Sequence, residues 1–300
     1  QVATAYLGLL ELDYELEITL QTYSGRTNSL ALTTAREEGG VTSLQDVEQA
    51  RILVAAAEAS LVDTRGRIEQ QENELCILLG RNPGPLERGE GFSRQNLETT
   101  VPPGLPSSLL ERRPDIRYAE QQLVAANADI GQAKAAFFPA LTLTGMYGYQ
   151  TVALSDLFTA PARTWQFGPS ISVPIFTGGA LRGNLNLARA RFEEAVARYR
   201  QTVQGAFREV SDSLIAYQRT REYRARMEQL VGAYRRSADL ANTRYEGGVT
   251  SYLEVLYNEQ ELFDAEIALA RSQRSQLLSV IGLYRSLGGG WAENQPLASE

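Results

Sequence analysis

Two flanking segments of the chain carry apolar residues at steps of four and three, which is the spacing of coiled-coil helices. In the C-terminal segment the pattern begins with Phe192, Val196 and Tyr199, continues to Tyr245 and resumes between Leu253 and Tyr284. The pattern predicts two paired helices in this part of the chain.

Proline positions also place helices in the two flanks. No proline occurs before Pro83 or between Pro174 and Pro296, and proline costs about 3 kcal/mol inside a helix. A helix from about Ala180 to Glu246 would be on the order of 100 Å long. Each flank is therefore predicted as a long helical hairpin, interrupted once by a pair of glycines.

The two glycine pairs belong to an internal repeat. The segment Arg36–Ser43 resembles Arg244–Ser251, with residue 39 aligned to residue 247, an offset of 208. In each copy glycine permits a left-handed turn, and the serine that ends the segment is placed to cap the next helix. Asp46 and Glu254 follow at the spacing of a capping box, so each copy predicts two antiparallel helices joined by a tight loop.

The middle of the chain alternates apolar residues with small or polar ones, which predicts strands. The first strand begins near Leu141, the second near Trp165, and neither is expected to carry a charge, as in strands of membrane barrels. A soluble, half-buried sheet is the alternative that these strands alone leave open. The residues expected to face lipid are Leu141, Leu143, Tyr147, Tyr149, Trp165, Phe167, Ile171 and Val173.

The predicted fold class is mainly α, with long antiparallel coiled-coil hairpins and a membrane β-hairpin. Pro114 opens a further helix that is expected to reach about Phe138, before Pro139. The predicted organisation is a first helical hairpin (1–80), a crossing segment (81–113), a helix leading to the barrel (114–139), a transmembrane β-hairpin with an extracellular loop (140–176), a second long hairpin (177–287) and a C-terminal tail (288–300).

A hairpin of two strands leaves unpaired edges, which a bilayer does not tolerate, so other strands must complete a closed barrel. Subtracting the repeat offset from the strand positions places an equivalent hairpin before residue 1. The chain also opens at Gln1, without methionine, inside a helical pattern. We therefore expect that an N-terminal part is missing from this sequence.

Composition narrows the function further. The chain has no histidine, a net charge of −7 and a single cysteine, Cys76, within an apolar run. We therefore expect a small buried core residue at Cys76, no metal site, no cofactor and no nucleic-acid partner. No pair of nucleophile and base suggests itself, so an enzyme is not expected.

Five segments carry a resemblance to a known family. The chain resembles the OprM-like branch of the TolC-like outer membrane efflux proteins in the segments Leu105–Ile116, Ala125–Gly131, Ala135–Pro139, Val173–Gly179 and Leu287–Trp291. The resemblance covers the whole chain.

The resemblance implies a homotrimer with a twelve-stranded barrel, four strands from each protomer, and a helical tunnel across the periplasm. It implies a passive exit duct in the outer membrane of a Gram-negative bacterium, coupled to a periplasmic adaptor protein and an inner-membrane pump, commonly of the resistance-nodulation-division type. Many members of this branch carry an N-terminal lipid anchor.

The resemblance also implies two functional regions. The glycine turns would be the periplasmic tips that contact the adaptor, and a gate would lie just inside the second tip. At the gate Leu253 matches the family's leucine, whereas Tyr257 stands where the family has an aspartate, so Glu254 is the candidate for the acidic charge, or else only the capping-box acid. The expected tip residues are Arg36, Gly39, Gly40, Val41, Ser43, Arg244, Gly247, Gly248, Val249 and Ser251.

Two alternatives remain open at this point. A structural coiled-coil scaffold would explain the helices but not the uncharged aromatic strands. Within the duct class, export of drugs or other toxic compounds, metal-ion efflux and type I secretion are all compatible with the sequence.

Overall fold

The computed structural model describes residues 1–95 and 113–289 of the 300-residue chain. Residues 96–112, which include most of the predicted crossing segment, and residues 290–300 of the predicted tail lie outside the described residues. The resemblance segments at 105–112 and 290–291 lie outside them as well.

Five long helices and two strands form the described part of the chain. They are α1 (Val2–Glu38), α2 (Leu44–Leu78), α3 (Pro114–Ala135), β1 (Ala140–Tyr149), β2 (Arg163–Ser172), α4 (Ala180–Glu246) and α5 (Tyr252–Ser286). Short 3₁₀ turns lie at Phe92–Arg94, Leu154–Asp156 and Ala160–Ala162. The predicted class, mainly α with a β-hairpin, is confirmed.

The internal repeat is also present in the fold. Helices α2 and α5 are each 35 residues long, and their first residues, Leu44 and Tyr252, are separated by the offset found in the sequence. Helix α4 has 67 residues, with the bounds that the sequence predicts. Helix α3 ends at Ala135, three residues before the predicted Phe138.

The chain forms two compact units, residues 1–105 with 208–300, and residues 106–207. In the first unit α1 packs against both α2 and α5. Its apolar contacts form separate small clusters: Ala5, Leu9, Leu12, Ile68 and Leu75 between α1 and α2, and Leu7, Leu10, Phe92 and Leu277 beside α5. Cys76 is buried, and its thiol donates to the Gly84 carbonyl at 3.4 Å.

The buried face of α5 differs from the predicted one at its start. Leu253 was expected in the apolar seam but is 63% exposed, whereas Tyr252 and Val255 are buried. The prediction was wrong because Tyr252 and Val255 pack against Ala50 and Tyr245 of two other helices. The coiled-coil pattern predicts only the contacts of α5 with α4, whereas Ala50 of α2 also packs against the start of α5.

Buried carboxylates connect α1 to its two neighbours. Glu15 is buried, and its two oxygens accept from Arg67 of α2 and Arg271 of α5, each at 3.0 Å. One turn earlier Glu11 is paired with Arg274 at 3.3 Å, and burial raises the pKa of its carboxyl. These ion pairs fix the register of α1 against both helices, because a buried charge that loses its partner is costly.

Within residues 1–95 and 113–289, none of the helices has a stretch that is both long and apolar enough to cross a membrane.

Replacing Glu15 with glutamine should lower the free energy of unfolding by about 2 kcal/mol, less than a fully buried ion pair costs, because Arg67 and Arg271 are partly exposed. The neighbouring exposed residue offers a matched control, since Glu17→Gln removes the same charge from a solvated position. Denaturant unfolding followed by far-ultraviolet circular dichroism measures both variants. Equal stability of the two variants would contradict the structural role of Glu15.

Candidate functional site

The first tip, residues Arg36 to Asp46, closes the turn between α1 and α2. Gly40 has a φ of +71°, and the amides of Gly40 and Val41 donate to the carbonyls of Glu37 and Arg36, each at 2.8 Å. This is a Schellman motif, which requires a residue that tolerates the left-handed region. A complete capping box follows: the Asp46 amide donates to Ser43 Oγ, and the Ser43 amide to Asp46 Oδ2, each at 3.3 Å.

The second tip, residues Arg244 to Glu254, repeats the turn but not the cap. Gly248 has a φ of +70°, and the Val249 amide donates to the Arg244 carbonyl at 2.9 Å. Ser251 occupies the N-cap position, yet its side chain accepts no capping hydrogen bond. The prediction that Ser251 and Glu254 form a capping box is therefore wrong.

The carboxylate of Glu254 is occupied by other partners. It accepts from Arg244 Nη1 at 2.6 Å and from the hydroxyl of Thr250. A charge-assisted bond to arginine is stronger than a bond to a neutral amide, which explains why the capping arrangement is lost here. Glu254 is thus half-buried and ion-paired, and it is not the predicted cap.

Arg36 joins the two tips. Its Nη1 donates to the carbonyl of Glu246, the last residue of α4, at 3.1 Å, and its guanidinium lies 4.9 Å from the centroid of the Tyr245 ring. A cation at the C-terminal end of a helix satisfies a carbonyl that has no partner within the helix. Arg36 was expected at the tip surface, but its guanidinium is bound to Glu246 and Tyr245 of the same chain.

An aromatic pair lies beneath this contact. The rings of Tyr245 and Tyr252 are 5.1 Å apart, and both side chains are buried. Burial raises the pKa of the Tyr252 hydroxyl, which stays neutral at ordinary pH. The contact between the tips thus combines a buried aromatic pair with a cation over the Tyr245 ring.

The remaining tip residues are accessible. Val41 and Val249 are 67% and 71% exposed, although both are apolar. The other accessible positions are Gly39, Gly40, Ser43, Arg244, Gly247, Gly248 and Ser251. Each tip therefore presents an exposed valine on a rigid turn.

Two of the three predicted gate residues share one exposed face. Leu253 and Tyr257 are 63% and 62% exposed and stand four residues apart on α5, which places them one above the other. Glu254 lies beside them with its carboxylate turned toward Arg244. The structure thus brings Leu253 and Tyr257 together and places the acid in an ion pair.

The strand hairpin has one exposed apolar face. Its antiparallel register pairs Leu141 with Ile171 and Tyr147 with Trp165, and places Phe167 opposite Gly145. The opposite face carries small and polar pairs such as Thr142 with Ser170. All eight predicted lipid-facing side chains are exposed: Leu141, Leu143, Tyr147, Tyr149, Trp165, Phe167, Ile171 and Val173.

Two details of the strands differ from the prediction. Strand β2 ends at Ser172, so Val173 follows the strand. The same strand begins at Arg163, so the expectation of charge-free strands is wrong at this position. The reason lies in the pairing, because Arg163 is opposite Tyr149 and the Gln150 amide donates to the Ala162 carbonyl at 2.7 Å, which extends the ladder.

Long paired helices and a strand hairpin with an exposed apolar face place the chain in a mixed class of helices and strands. The sequence profile described as outer membrane efflux protein matches residues 1–81 and 105–289. The chain belongs to this family, as the sequence resemblance indicated, and its location is the outer membrane of a Gram-negative bacterium.

Curated relatives extend this result. The chain is 42% identical over 295 residues to the solvent efflux pump outer membrane protein SrpC of Pseudomonas putida, covering 98% of the chain and 63% of the relative. It is 39% identical over 299 residues to the outer membrane protein OprJ of Pseudomonas aeruginosa, covering 99% of the chain and 62% of OprJ. The chain thus spans a little under two thirds of the length of these curated relatives.

Solved structures share the fold. The outer membrane protein VceC of Vibrio cholerae matches with a TM-score of 0.80 and 32% identity, over 97% of this chain and 69% of VceC. The open state of the Neisseria gonorrhoeae MtrE outer membrane channel matches with a TM-score of 0.82 and 32% identity, over 96% of this chain and 65% of MtrE. The helical hairpins and the strand hairpin are therefore features of this channel fold.

Sequence reasoning missed three contributors to the tips. The Tyr245 ring and the Glu246 carbonyl both contact the guanidinium of Arg36, and the Thr250 hydroxyl donates to the Glu254 carboxylate. Only the repeat offers a signal for the threonine, since Thr42 stands at the equivalent position and donates to Asp46. No pattern within one hairpin indicates the contact made by Arg36, because its acceptor is about two hundred residues away in sequence.

Gly40→Ala should destabilise the first hairpin by about 1 kcal/mol, because an L-residue at a positive φ is strained. Gly39→Ala is the matched control: Gly39 has a φ of −79°, and an added Cβ there would meet no atom closer than 3.5 Å. Thermal unfolding of both variants measures the difference. A Gly40→Ala protein as stable as Gly39→Ala would show that the left-handed turn is not required.

Proposed function

We propose that these residues belong to a passive outer-membrane exit duct of a tripartite efflux pump. One observation carries the proposal: an exposed apolar strand hairpin is continuous in sequence with the helices α3 and α4. Such a hairpin fits contact with lipid, and the helices fit a water-filled conduit. No catalytic step enters this proposal, since conduction needs only a lined passage.

The proposed oligomeric state of the duct is a homotrimer. In the described residues β1 pairs only with β2, so each strand keeps one free edge. Lipid leaves no donor for such an edge, so strands of neighbouring copies and of the full-length protein would complete the ladder. We propose four strands from each protomer, as the family resemblance implies.

Small toxic organic compounds are the proposed cargo. SrpC is named for solvent efflux, and it shares 42% of residues with this chain. Metal-ion efflux and type I secretion are the remaining alternatives within the duct class. An inner-membrane pump, of the resistance-nodulation-division type, would supply the energy.

The full-length protein should insert into planar lipid bilayers and give stepwise ion conductance, and deletion of its gene should increase killing by apolar solvents and drugs. Two further measurements separate the cargo classes: the tolerance of the deletion strain to metal salts and the amount of peptide that it secretes. Both should be unchanged. A protein that purifies without detergent as a monomer and never conducts would be a coiled-coil scaffold instead.

The gate proposal can be tested in the same recordings. We propose that Leu253, Glu254 and Tyr257 line the narrow end of the conduit. Glu254 would supply part of the negative charge there, so Glu254→Gln should reduce the preference for cations over anions. An unchanged preference would remove Glu254 from the gate and leave its ion pair with Arg244 as its role.

The two tips are the proposed contact for the periplasmic adaptor. Exposed valines at rigid turns, Val41 and Val249, suit insertion into an apolar groove, whereas Arg36 would act by holding the tips together. Charge reversal at Arg244 would also break its ion pair with Glu254. Val249 is therefore the sharper position to test.

Val249→Asp should lower crosslinking to the adaptor at least about fivefold, the factor expected when one well-buried interface contact is lost. Val152→Asp is the matched control, because Val152 is also an exposed valine but lies in the loop between the strands. Trimer yield should be the same for both variants. Wild-type crosslinking by Val249→Asp would remove the second tip from the interface.

A further inference from the structure

The first residue of β2 places a charge on the apolar face of the strand hairpin. Arg163 pairs with Tyr149 and has the same parity as Trp165 and Phe167, so its Cβ lies on the face expected to meet lipid. Its side chain is exposed and forms no hydrogen bond or ion pair with any described residue. Between residues 140 and 179 the only other charged residue is Asp156.

Aromatic side chains share the face of the hairpin on which Arg163 stands. The rings of Tyr147 and Tyr149 are 6.3 Å apart, and Tyr149 contacts Phe158 of the following loop at 5.7 Å with an edge-on geometry. Trp165 stands opposite Tyr147 in the neighbouring strand. The aromatic row therefore continues from the strands into the loop, on the side where Arg163 lies.

The loop is folded over this end of the hairpin. Two 3₁₀ turns, Leu154–Asp156 and Ala160–Ala162, shape it, and the Thr159 hydroxyl donates to the Asp156 carbonyl at 2.7 Å. Leu154 and Phe158 nevertheless remain 86% and 84% exposed. An ordered loop with large apolar side chains at the rim of a lipid-facing surface is suited to the boundary between headgroups and acyl chains.

A guanidinium beside lipid needs an anionic partner. Arginine can extend its stem along apolar surface and present its charged head to the interface, where it binds phosphate through two parallel hydrogen bonds. On the proposed function, helices α3 and α4 lead into the periplasm, so the loop end of the hairpin lies at the outer leaflet. The anionic lipid of that leaflet is a phosphorylated glycolipid.

We propose that Arg163, flanked by Tyr149, Trp165 and Phe158, is a binding site for the phosphate of an outer-leaflet glycolipid. The guanidinium holds the phosphate, the tyrosine and tryptophan rings lie at the headgroup level, and Phe158 contacts the upper acyl chains. This site rests on the proposed orientation of the duct and adds a specific lipid partner to it.

Native mass spectrometry of the full-length protein in detergent, titrated with purified lipid A, tests the site. Wild type should retain lipid A with both phosphates, and Arg163→Gln should lower its occupancy about fivefold, the factor for one basic residue at an anionic surface. Arg163→Lys should restore part of the binding, and Phe158→Ser should weaken it as well. Arg208→Gln, which removes the same charge from an exposed position on α4, should bind like wild type.

Two results would overturn the site: equal occupancy in wild type and Arg163→Gln, or equal binding of dephosphorylated lipid A. Bilayer conductance of the same preparations separates this proposal from the duct itself. If the protein conducts and Arg163→Gln binds lipid A as wild type does, only the proposed Arg163 site is wrong. A protein that never conducts overturns the duct, and with it the orientation on which the site depends.

Discussion

Backbone hydrogen bonding in lipid is the constraint that governs this chain. Strands β1 and β2 pair along their whole length, yet each has a second edge with donors and acceptors that water cannot reach inside a bilayer. Their exposed face is apolar from Leu141 to Tyr149, so the hairpin cannot be a solvated sheet without a large cost. The strands therefore require partners of the same kind, and a closed arrangement of several hairpins follows from this need.

The ends of the long helices also need partners for their backbone groups. A helix turn leaves carbonyls without partners, and both tips satisfy them by a left-handed glycine and a Schellman pattern. Arg36 then donates to the end of α4 from the other hairpin, over the ring of Tyr245. Helices of this length are stabilised along their sides by small apolar clusters and by buried pairs such as Glu15 with Arg67 and Arg271. The two tips form one contact region as a result.

The two copies of the repeat have diverged where function is proposed. Asp46 completes a capping box, whereas the longer Glu254 reaches Arg244 across the turn. One extra methylene group and one arginine within reach are enough to change the role of an equivalent acid. The second tip consequently carries an ion pair beside the exposed Leu253 and Tyr257, and the first tip does not. Such a difference suits a duct in which only one hairpin lines the narrow end.

The sequence by itself determined the elements of this protein: the glycine turns, the repeat, the bounds of α4 and the alternation of the strands all follow from local periodicity and backbone preference. The family could also be identified from segments such as Val173–Gly179. Only the tertiary structure decided which face of α5 is buried, that Arg36 contacts Glu246, that Ser251 does not cap its helix, and that β2 begins at Arg163. These features depend on particular side-chain and strand contacts, some between residues far apart in sequence, whose energies exceed the local preferences and leave no periodic signal.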